Sequence, residues 1–328
     1  MPQPMKTSMK KSLGVVAVSI LLPAAFGFAG AYAAIKWFIS YGWALFLALP
    51  VLVSFLSAFM LRRATRANWP QCYGMSVLSI FVLGSVMIAC AVDGMMCLLM
   101  ALPIALLLAV PGSLFGYALA RRLSGPTGGV ASILVLMTFP GFLGFEHKYP
   151  VEPTVRQITS SITIDAPIDM VWHEVLAFDR ITAPPTGIFR LGIAYPIQAH
   201  IYGQGVGAVR YCVFSTGPFI EPITVWQPPR RLEFDVVQNP VPMKEFSPYK
   251  NLEPAHLHGT FVSRHGRFAL HEDHGKTVLE GTTWYYQRLV PDWYWHLFSD
   301  AIIHQIHLRV LDQIKHSAEA KASGLARL

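Results

Sequence analysis

Three histidines and one aspartate fall on one face of the last helix that the sequence predicts. His296, Asp300, His304 and His307 are separated by four, four and three residues, so a helix of 3.6 residues per turn brings them to the same side. A carboxylate that bonds one ring nitrogen of a histidine can orient the ring as a general base. Asp300 and His304 are therefore a candidate acid–base pair, and His304 and His307 are candidate ligand contacts. The alternative is ordinary hydrogen bonding on the helix surface.

A second pair of histidines has spacing that would suit a metal ion. His256 and His258 are two residues apart, and on a strand they would point to the same face. The hairpin that follows is rich in charged residues, which favours a solvent-facing surface over a metal centre. We expect no metal and no cofactor, and keep His256 and His258 only as weak candidates.

Aromatic residues on two predicted strands suit the wall of an apolar cavity. Trp284 and Tyr286 alternate with Tyr285, so they share one face of their strand. Phe234 belongs to an alternating strand whose other face is charged. We expect Trp284, Tyr286 and Phe234 to contact a ligand, although core packing is the commoner use of such side chains.

The elements that must position these residues can be placed by periodicity and turn signals. The first is a strand and turn at 156–167, followed by a helix at 168–178, and the last is a helix at about 292–319. Between them lie six strands, near 197–202, 207–214, 220–227, 231–238, 257–270 and 276–288. A proline-rich loop at 239–254 is a candidate lid. This order predicts an α+β domain in which a curved antiparallel sheet wraps around a long C-terminal helix and leaves an apolar cavity.

Four segments of this half also carry a family resemblance. They are ITIDAPIDMVWHEVLAFDR (162–180), GVGAVRY (205–211), EPITVWQPPRRLEF (221–234) and GKTVLEGTTWYY (275–286). In this order they resemble the START/Bet v 1-like helix-grip superfamily, also known as SRPBCC or polyketide cyclase/dehydrase and lipid transport-like proteins, over residues 156–318. The resemblance implies the helix-grip fold and no single activity, because the superfamily includes lipid carriers, cyclases, hydroxylase subunits and hormone receptors.

The first 145 residues have a different composition, which indicates a bundle of membrane-spanning helices. They contain nine Lys and Arg residues and one acidic residue, Asp93, whereas all 12 histidines come later. Since about 20 apolar residues cross a bilayer, roughly five spans are predicted. The five apolar segments are 13–35, 43–61, 73–92, 95–120 and 128–145. The net charge of +7 is thus a topology signal and no evidence for nucleic-acid binding.

The basic clusters predict the orientation of these spans. Lysines precede the first span, and arginines follow the second and the fourth, so all three clusters share one side if the spans alternate. The N-terminus is then cytoplasmic. With five spans the C-terminal domain is extracytoplasmic, and with four it is cytoplasmic. The glycine-rich segment 128–145 decides between the two, and we favour five.

These patterns predict a multi-pass membrane protein with four parts: a transmembrane region at 1–145, a linker at 146–156, a helix-grip domain at 157–320 and a tail at 321–328. The chain has no nucleophile elbow, phosphate loop or dinucleotide fingerprint. The favoured function is binding of a lipid or another hydrophobic small molecule next to the bilayer. Two alternatives stay open: a cyclase or dehydratase that uses Asp300 and His304, and a ligand-free sensing or interaction module. The oligomeric state also stays open.

Overall fold

The computed structural model describes residues 4–325, apart from residues 39, 124, 250, 251 and 253. The chain forms two compact units. The first comprises Met1–Val151, Glu245–Ala255 and Leu289–Pro291, and the second comprises Glu152–Lys244, His256–Arg288 and Asp292–Leu328.

Helices make up the first unit. They are α1 (Pro4–Lys36), α2 (Leu49–Thr65, preceded by a π-helical turn at Ala44–Ala48), α3 (Trp69–Ala89), α4 (Met95–Arg122), α5 (Gly125–Leu136) and α6 (Thr138–Lys148). Five segments in the described part are long and apolar enough to cross a membrane, as the sequence predicts. They are Leu13–Lys36, Ala44–Thr65, Trp69–Ala89, Met95–Arg122 and Pro126–Lys148. The fifth is divided at Met137, where α5 ends and α6 begins.

Small residues hold the helices of this unit together. Gly112 and Gly116 of α4 lie against the backbone of α2, where an added Cβ would come within 2.4 Å of the Val51 carbonyl oxygen and within 2.2 Å of that of Phe55. Such small-residue spacing lets apolar helices approach closely. The Ser57 hydroxyl donates to the Ser19 carbonyl of α1 at 2.8 Å, which adds a polar contact inside the bundle.

A late segment of the chain also belongs to the first unit. Within Glu245–Ala255, the Phe246 carbonyl accepts the Met95 backbone N–H at 3.0 Å and the Glu245 carboxylate accepts the Met96 backbone N–H at 3.1 Å. The Tyr249 hydroxyl donates to the Ala89 carbonyl. The proline-rich loop that the sequence marks as a lid is therefore shared, since its first part belongs to the second unit and its later part to the first.

The second unit is an α+β domain. Its strands are β1 (Arg156–Ile164), β2 (Pro196–Tyr202), β3 (Val209–Phe214), β4 (Gly217–Gln227), β5 (Arg231–Asp235), β6 (Phe261–Asp273) and β7 (Lys276–Gln287). Helix α7 (Ile168–Leu176) follows β1, and the long helix α8 (Asp292–Leu325) ends the described chain. Short 3-10 turns lie at Gly187–Leu191 and Ala255–Leu257.

The seven strands form one curled antiparallel half-barrel in the order β1-β7-β6-β5-β4-β3-β2. The alternating pattern of β3, in which every second residue is buried, is typical of a sheet with one face on a core. The inner face packs on an apolar stripe of α8 that includes Ile303, Val310, Leu311 and Ile314, as the helical spacing predicts. The structure is the helix-grip fold that the sequence predicts.

We predict different effects for alanine substitutions of two glycines on the inner face of this sheet. At Gly266 an added Cβ would lie 2.3 Å from the Phe234 ring, whereas at Gly281 the nearest atom is 3.6 Å away. Gly266→Ala should therefore lower the free energy of unfolding by about 1–3 kcal/mol, which is the usual cost of overpacking. Gly281→Ala is the matched control and should be close to neutral. Chemical unfolding followed by near-UV circular dichroism compares the two, and equal stability of both variants would contradict the packing described here.

Candidate functional site

The inner face of the half-barrel and helix α8 line a partly open cavity of about 110 Å³. Roughly 10–15 Å³ is enough for one water, so the space exceeds that of a single molecule of water. Phenylalanine rings form much of its wall, which is mainly apolar. These rings belong to Phe214, Phe219, Phe234, Phe261 and Phe268. Phe234 thus lines the cavity, and its contact with a ligand stays a prediction.

A buried ion pair stands in this apolar wall. Arg210 of β3 and Glu221 of β4 are cross-strand partners, and the guanidinium Nη1 donates to the Glu221 carboxylate. The two residues are only 1% and 6% exposed. The Arg210 guanidinium also lies 5.5–5.9 Å from the ring centroids of Phe178, Phe234 and Phe268. A planar guanidinium suits such ring contacts better than an ammonium would.

Two donors of Arg210 stay without a strong acceptor. Among the described residues, its Nε and Nη2 have no oxygen or nitrogen acceptor, and the neighbouring Cys212 thiol is a weak acceptor. A buried donor without a partner costs about 1–3 kcal/mol. Beside it, burial raises the pKa of the Cys212 thiol to about 12, so this neighbour is neutral. The cavity therefore offers unused donors to a molecule that brings an acceptor oxygen.

A hydrogen-bonded row of side chains runs from the cavity wall to the outside of α8. Thr283 of β7 and His307 of α8 both line the cavity, and the Thr283 hydroxyl lies 2.7 Å from His307 Nε2. The Ser160 hydroxyl of β1 lies 3.1 Å from His307 Nδ1 and 2.7 Å from His304 Nδ1. His304 is exposed, whereas Ser160 is buried. Burial, followed by the nearby His304, lowers the pKa of His307 to about 4, so His307 is neutral near pH 7.

Asp300 has different partners from the one that the sequence suggests. Its carboxylate accepts hydrogen bonds from Arg156 of β1, at 2.8 Å, and from the hydroxyl of the fully buried Tyr285. The Tyr285 hydroxyl also lies 3.3 Å from His296 Nδ1. Asp300 thus fastens α8 to the sheet, while His304 is held by Ser160. The helical spacing is correct, but both side chains form hydrogen bonds with residues of β1 and β7. The spacing of residues on one helix cannot reveal such partners.

Trp284 and Tyr286 lie on the outer face of β7. The inner positions of this strand are Thr283, which contacts His307, and Tyr285, which contacts Asp300. Trp284 instead lies 5.3 Å from the Arg267 guanidinium. Tyr286 similarly stacks between the guanidinium groups of Arg264 and Arg288, at 5.8 and 5.5 Å. The expected cavity contacts at Trp284 and Tyr286 are therefore corrected. The alternation shows that Trp284 and Tyr286 share one face of β7, but it does not show which face of the strand points toward α8.

His256 and His258 do not share a strand face. His256 lies in the 3-10 turn Ala255–Leu257 and is buried, whereas His258 is exposed, because β6 begins only at Phe261. Burial lowers the pKa of His256 to about 4. The two histidines therefore lack the shared strand face on which the predicted metal site depends.

Side chains of metal-binding types do meet in the first unit. Asp93, Cys97 and Glu245 bring two carboxylates and a thiol within 4.8 Å of one another. The Cys97 thiol donates to the Glu245 carboxylate at 2.5 Å, and the Asp93 carboxylate accepts the Gly94 backbone N–H at 2.8 Å. The bond from Cys97 attaches Glu245 to the start of α4.

Arg210, Glu221, Ser160 and Thr283 are functional candidates that the motif search did not single out. A signal for Arg210 is nevertheless present, since it shares the inward phase of the buried Ala208, Cys212 and Phe214. A charge among such neighbours is uncommon without a partner or a role. Ser160 and Thr283 carry no such signal, because their importance comes from contacts with α8.

Comparison with known proteins agrees with the geometry. Residues 155–288 match the family described as polyketide cyclase / dehydrase and lipid transport. The resemblance read from the sequence is thereby confirmed for this region of the chain, which is similar to that family. No curated protein matches the chain.

The solved structures that match the chain include three from different sources. A protein from Nitrosospira multiformis is 16% identical, with a TM-score of 0.31 and coverage of 51% of this chain and 99% of that one. The di-domain ARO/CYC StfQ from the steffimycin biosynthetic pathway is 9% identical, with a TM-score of 0.35 and coverage of 61% and 63%. Truncated norcoclaurine synthase from Thalictrum flavum is 11% identical, with a TM-score of 0.32 and coverage of 50% and 94%.

We predict that acid weakens the second unit partly through His307. Its pKa falls from the ordinary value of 6.5 in the unfolded chain to about 4 in the folded one, so the unfolded chain binds more protons between these values. The contribution of His307 is complete above pH 6.5 and is lost as the pH falls toward 4, and it amounts to up to about 3 kcal/mol. His307→Gln should therefore flatten the dependence of stability on pH in this window.

Chemical unfolding at several pH values between 4 and 7 checks this expectation. His256 acts in the same direction, so part of the acid loss should remain in the variant. His274→Gln serves as the control because the His274 side chain is 95% exposed. A wild-type slope that persists in His307→Gln would contradict the neutral state of the half-buried His307.

Proposed function

We propose that the second unit binds a lipid or another hydrophobic small molecule whose carbonyl or hydroxyl oxygen is held by Arg210. The observation that carries this proposal is the pair of unused donors, Nε and Nη2, on a guanidinium that is 1% exposed in the wall of a cavity. An acceptor oxygen of a ligand would satisfy them. The rings around the cavity would receive the apolar body of the molecule.

The charges in the cavity favour a neutral acceptor over an anion. Glu221 already neutralises Arg210, and His307 adds no charge near pH 7. A carboxylate in the same place would bring an extra buried charge, which is costly. The oxygen of a ketone, ester, amide or alcohol is uncharged and would avoid this cost. A domain that had lost its ligand would be expected to fill this space with its own side chains, so the cavity argues against the sensing-module alternative.

We further propose that the five apolar helices anchor the domain in a membrane, with a cytoplasmic N-terminus and an extracytoplasmic second unit. Their length and composition support anchoring. The basic residues in the last turns of α2 and α4 support the orientation, because Arg62, Arg63, Arg121 and Arg122 would then lie on the cytoplasmic side. Apolar ligands concentrate in the bilayer, so an anchored cavity stays near its supply.

Two ligands that differ in one oxygen test the role of Arg210. In 2-ethylnaphthalene a CH2 group replaces the carbonyl of 2-acetylnaphthalene. Because hydrogen bonds to charged groups contribute about 1.5–3 kcal/mol, the full chain in detergent should bind the ketone roughly tenfold more tightly or better. In the double variant Arg210→Met/Glu221→Met the two affinities should become equal, since the acceptor then has no donor. Removing both charges together avoids an unpaired buried ion.

Arg231→Met/Glu233→Met removes the ion pair on the outer face of β5 and is the matched control. It should keep the preference for the ketone. Saturation-transfer NMR measures the binding, and native mass spectrometry of the gently purified protein reports any retained apolar molecule. Equal wild-type affinities would rule out the role of Arg210, and absence of any binding or retained molecule would overturn the proposed function.

The orientation has its own test. Alkaline phosphatase and green fluorescent protein are each fused to the C-terminus of the full chain. Five spans place this terminus outside the cytoplasm, so the phosphatase fusion should be active and the fluorescent fusion dark. The reverse result would mean that α5 and α6 do not cross together, and the second unit would then be cytoplasmic.

A further inference from the structure

The row from Thr283 to His304 has the geometry of a proton path between the cavity and solvent. Each of its three steps is a hydrogen bond of 2.7–3.1 Å: Thr283 to His307, His307 to Ser160, and Ser160 to His304. The path begins at cavity-lining residues of β7 and α8. It ends at an exposed imidazole. Three elements, β1, β7 and α8, contribute to it.

The two ring nitrogens of His307 allow a proton to pass through this residue, although burial disfavours the charged form of the ring. One nitrogen faces Thr283 and the other faces Ser160. A neutral imidazole can accept a proton on one nitrogen while it releases the proton of the other, so His307 itself gains no charge during the transfer. The positive charge appears only on His304, where water can solvate it.

We propose that this row makes the cavity a site of proton transfer, in which a bound ketone loses and regains a proton on the carbon next to its carbonyl. The C–H bond breaks, and its electron pair forms a C=C bond as the carbonyl π electrons move to the oxygen. Arg210, in the wall of the same cavity, stabilises the resulting enolate oxygen. The enolate returns to the ketone when a proton comes back along the same path, so no other reactant is needed.

The proton moves in a balanced series of hops. The Thr283 hydroxyl takes it from carbon while passing its own proton to His307 Nε2. His307 releases the proton of Nδ1 to Ser160, and Ser160 passes its hydroxyl proton to His304 Nδ1. Water at the surface exchanges with His304. Thr283 touches the ligand in this scheme, whereas Ser160 and His304 act through His307.

This inference rests on the proposed ligand binding, and the same ketone tests both. The full chain in detergent is placed in D2O with 2-acetylnaphthalene, and proton NMR follows the loss of the acetyl methyl signal. We expect exchange above the buffer rate. Loss of acid–base groups typically lowers a rate by about 100-fold or more, so His307→Gln should approach the rate without protein.

Variants of the path separate proton transfer from binding. Thr283→Val keeps the side-chain shape but removes the hydroxyl, and Ser160→Ala and His304→Gln interrupt later steps. Each should lower the exchange rate at saturating ketone while the affinity for the ketone stays unchanged. Ser161→Ala changes the neighbouring exposed serine and should behave as wild type. Because His304 is exposed, His304→Gln remains informative if Ser160→Ala does not fold.

The possible outcomes are distinct. A protein that binds the ketone without accelerating exchange overturns this inference and leaves the proposed function intact. The same holds if Ser160→Ala and His304→Gln both exchange as fast as wild type. A protein that binds neither the ketone nor any other apolar molecule overturns the proposed function and this inference with it.

Discussion

A sheet that curls around a single helix encloses more space than the helix can fill, and the second unit depends on how this space is lined. The seven strands bring phenylalanine rings inward, and α8 supplies an aliphatic stripe. Into this wall the fold places Arg210, which Glu221 compensates in charge but does not satisfy in hydrogen bonding. Because Arg210 is only 1% exposed, each remaining donor would interact strongly with an acceptor that entered.

Polar contacts at one edge of the cavity determine where α8 lies. Asp300 is tied to Arg156 and Tyr285, and one turn later His304 and His307 meet Ser160. An apolar stripe alone tolerates some sliding and rotation of a helix, whereas hydrogen bonds between fixed partners do not. These contacts therefore fix the rotation that places His307 at the cavity and His304 at the surface.

The sequence predicts the architecture well because periodicity reports what each element needs to bury. The helices, the antiparallel strands and the stripe of α8 are found close to where the patterns place them, although β6 begins only at Phe261 and β5 ends at Asp235. The predicted site fares differently. Helical spacing groups Asp300 with His304 on α8. Their hydrogen-bond partners Tyr285 and Ser160, however, lie on the strands β7 and β1. Likewise, alternation cannot tell which face of β7 turns inward, so Trp284 and Tyr286 were expected in the cavity and lie outside it.

The route of the chain has a consequence for how the protein can be divided. After entering the second unit at Glu152, the chain returns to the first unit at Glu245–Ala255 and again at Leu289–Pro291. A fragment that starts at residue 152 would contain the segment Glu245–Ala255 but would lack the helices on which it packs. This segment accepts hydrogen bonds from the backbone amides of Met95 and Met96. Sequence boundaries and structural boundaries thus differ here. A soluble version of the domain would require redesign of both returns, not a single cut.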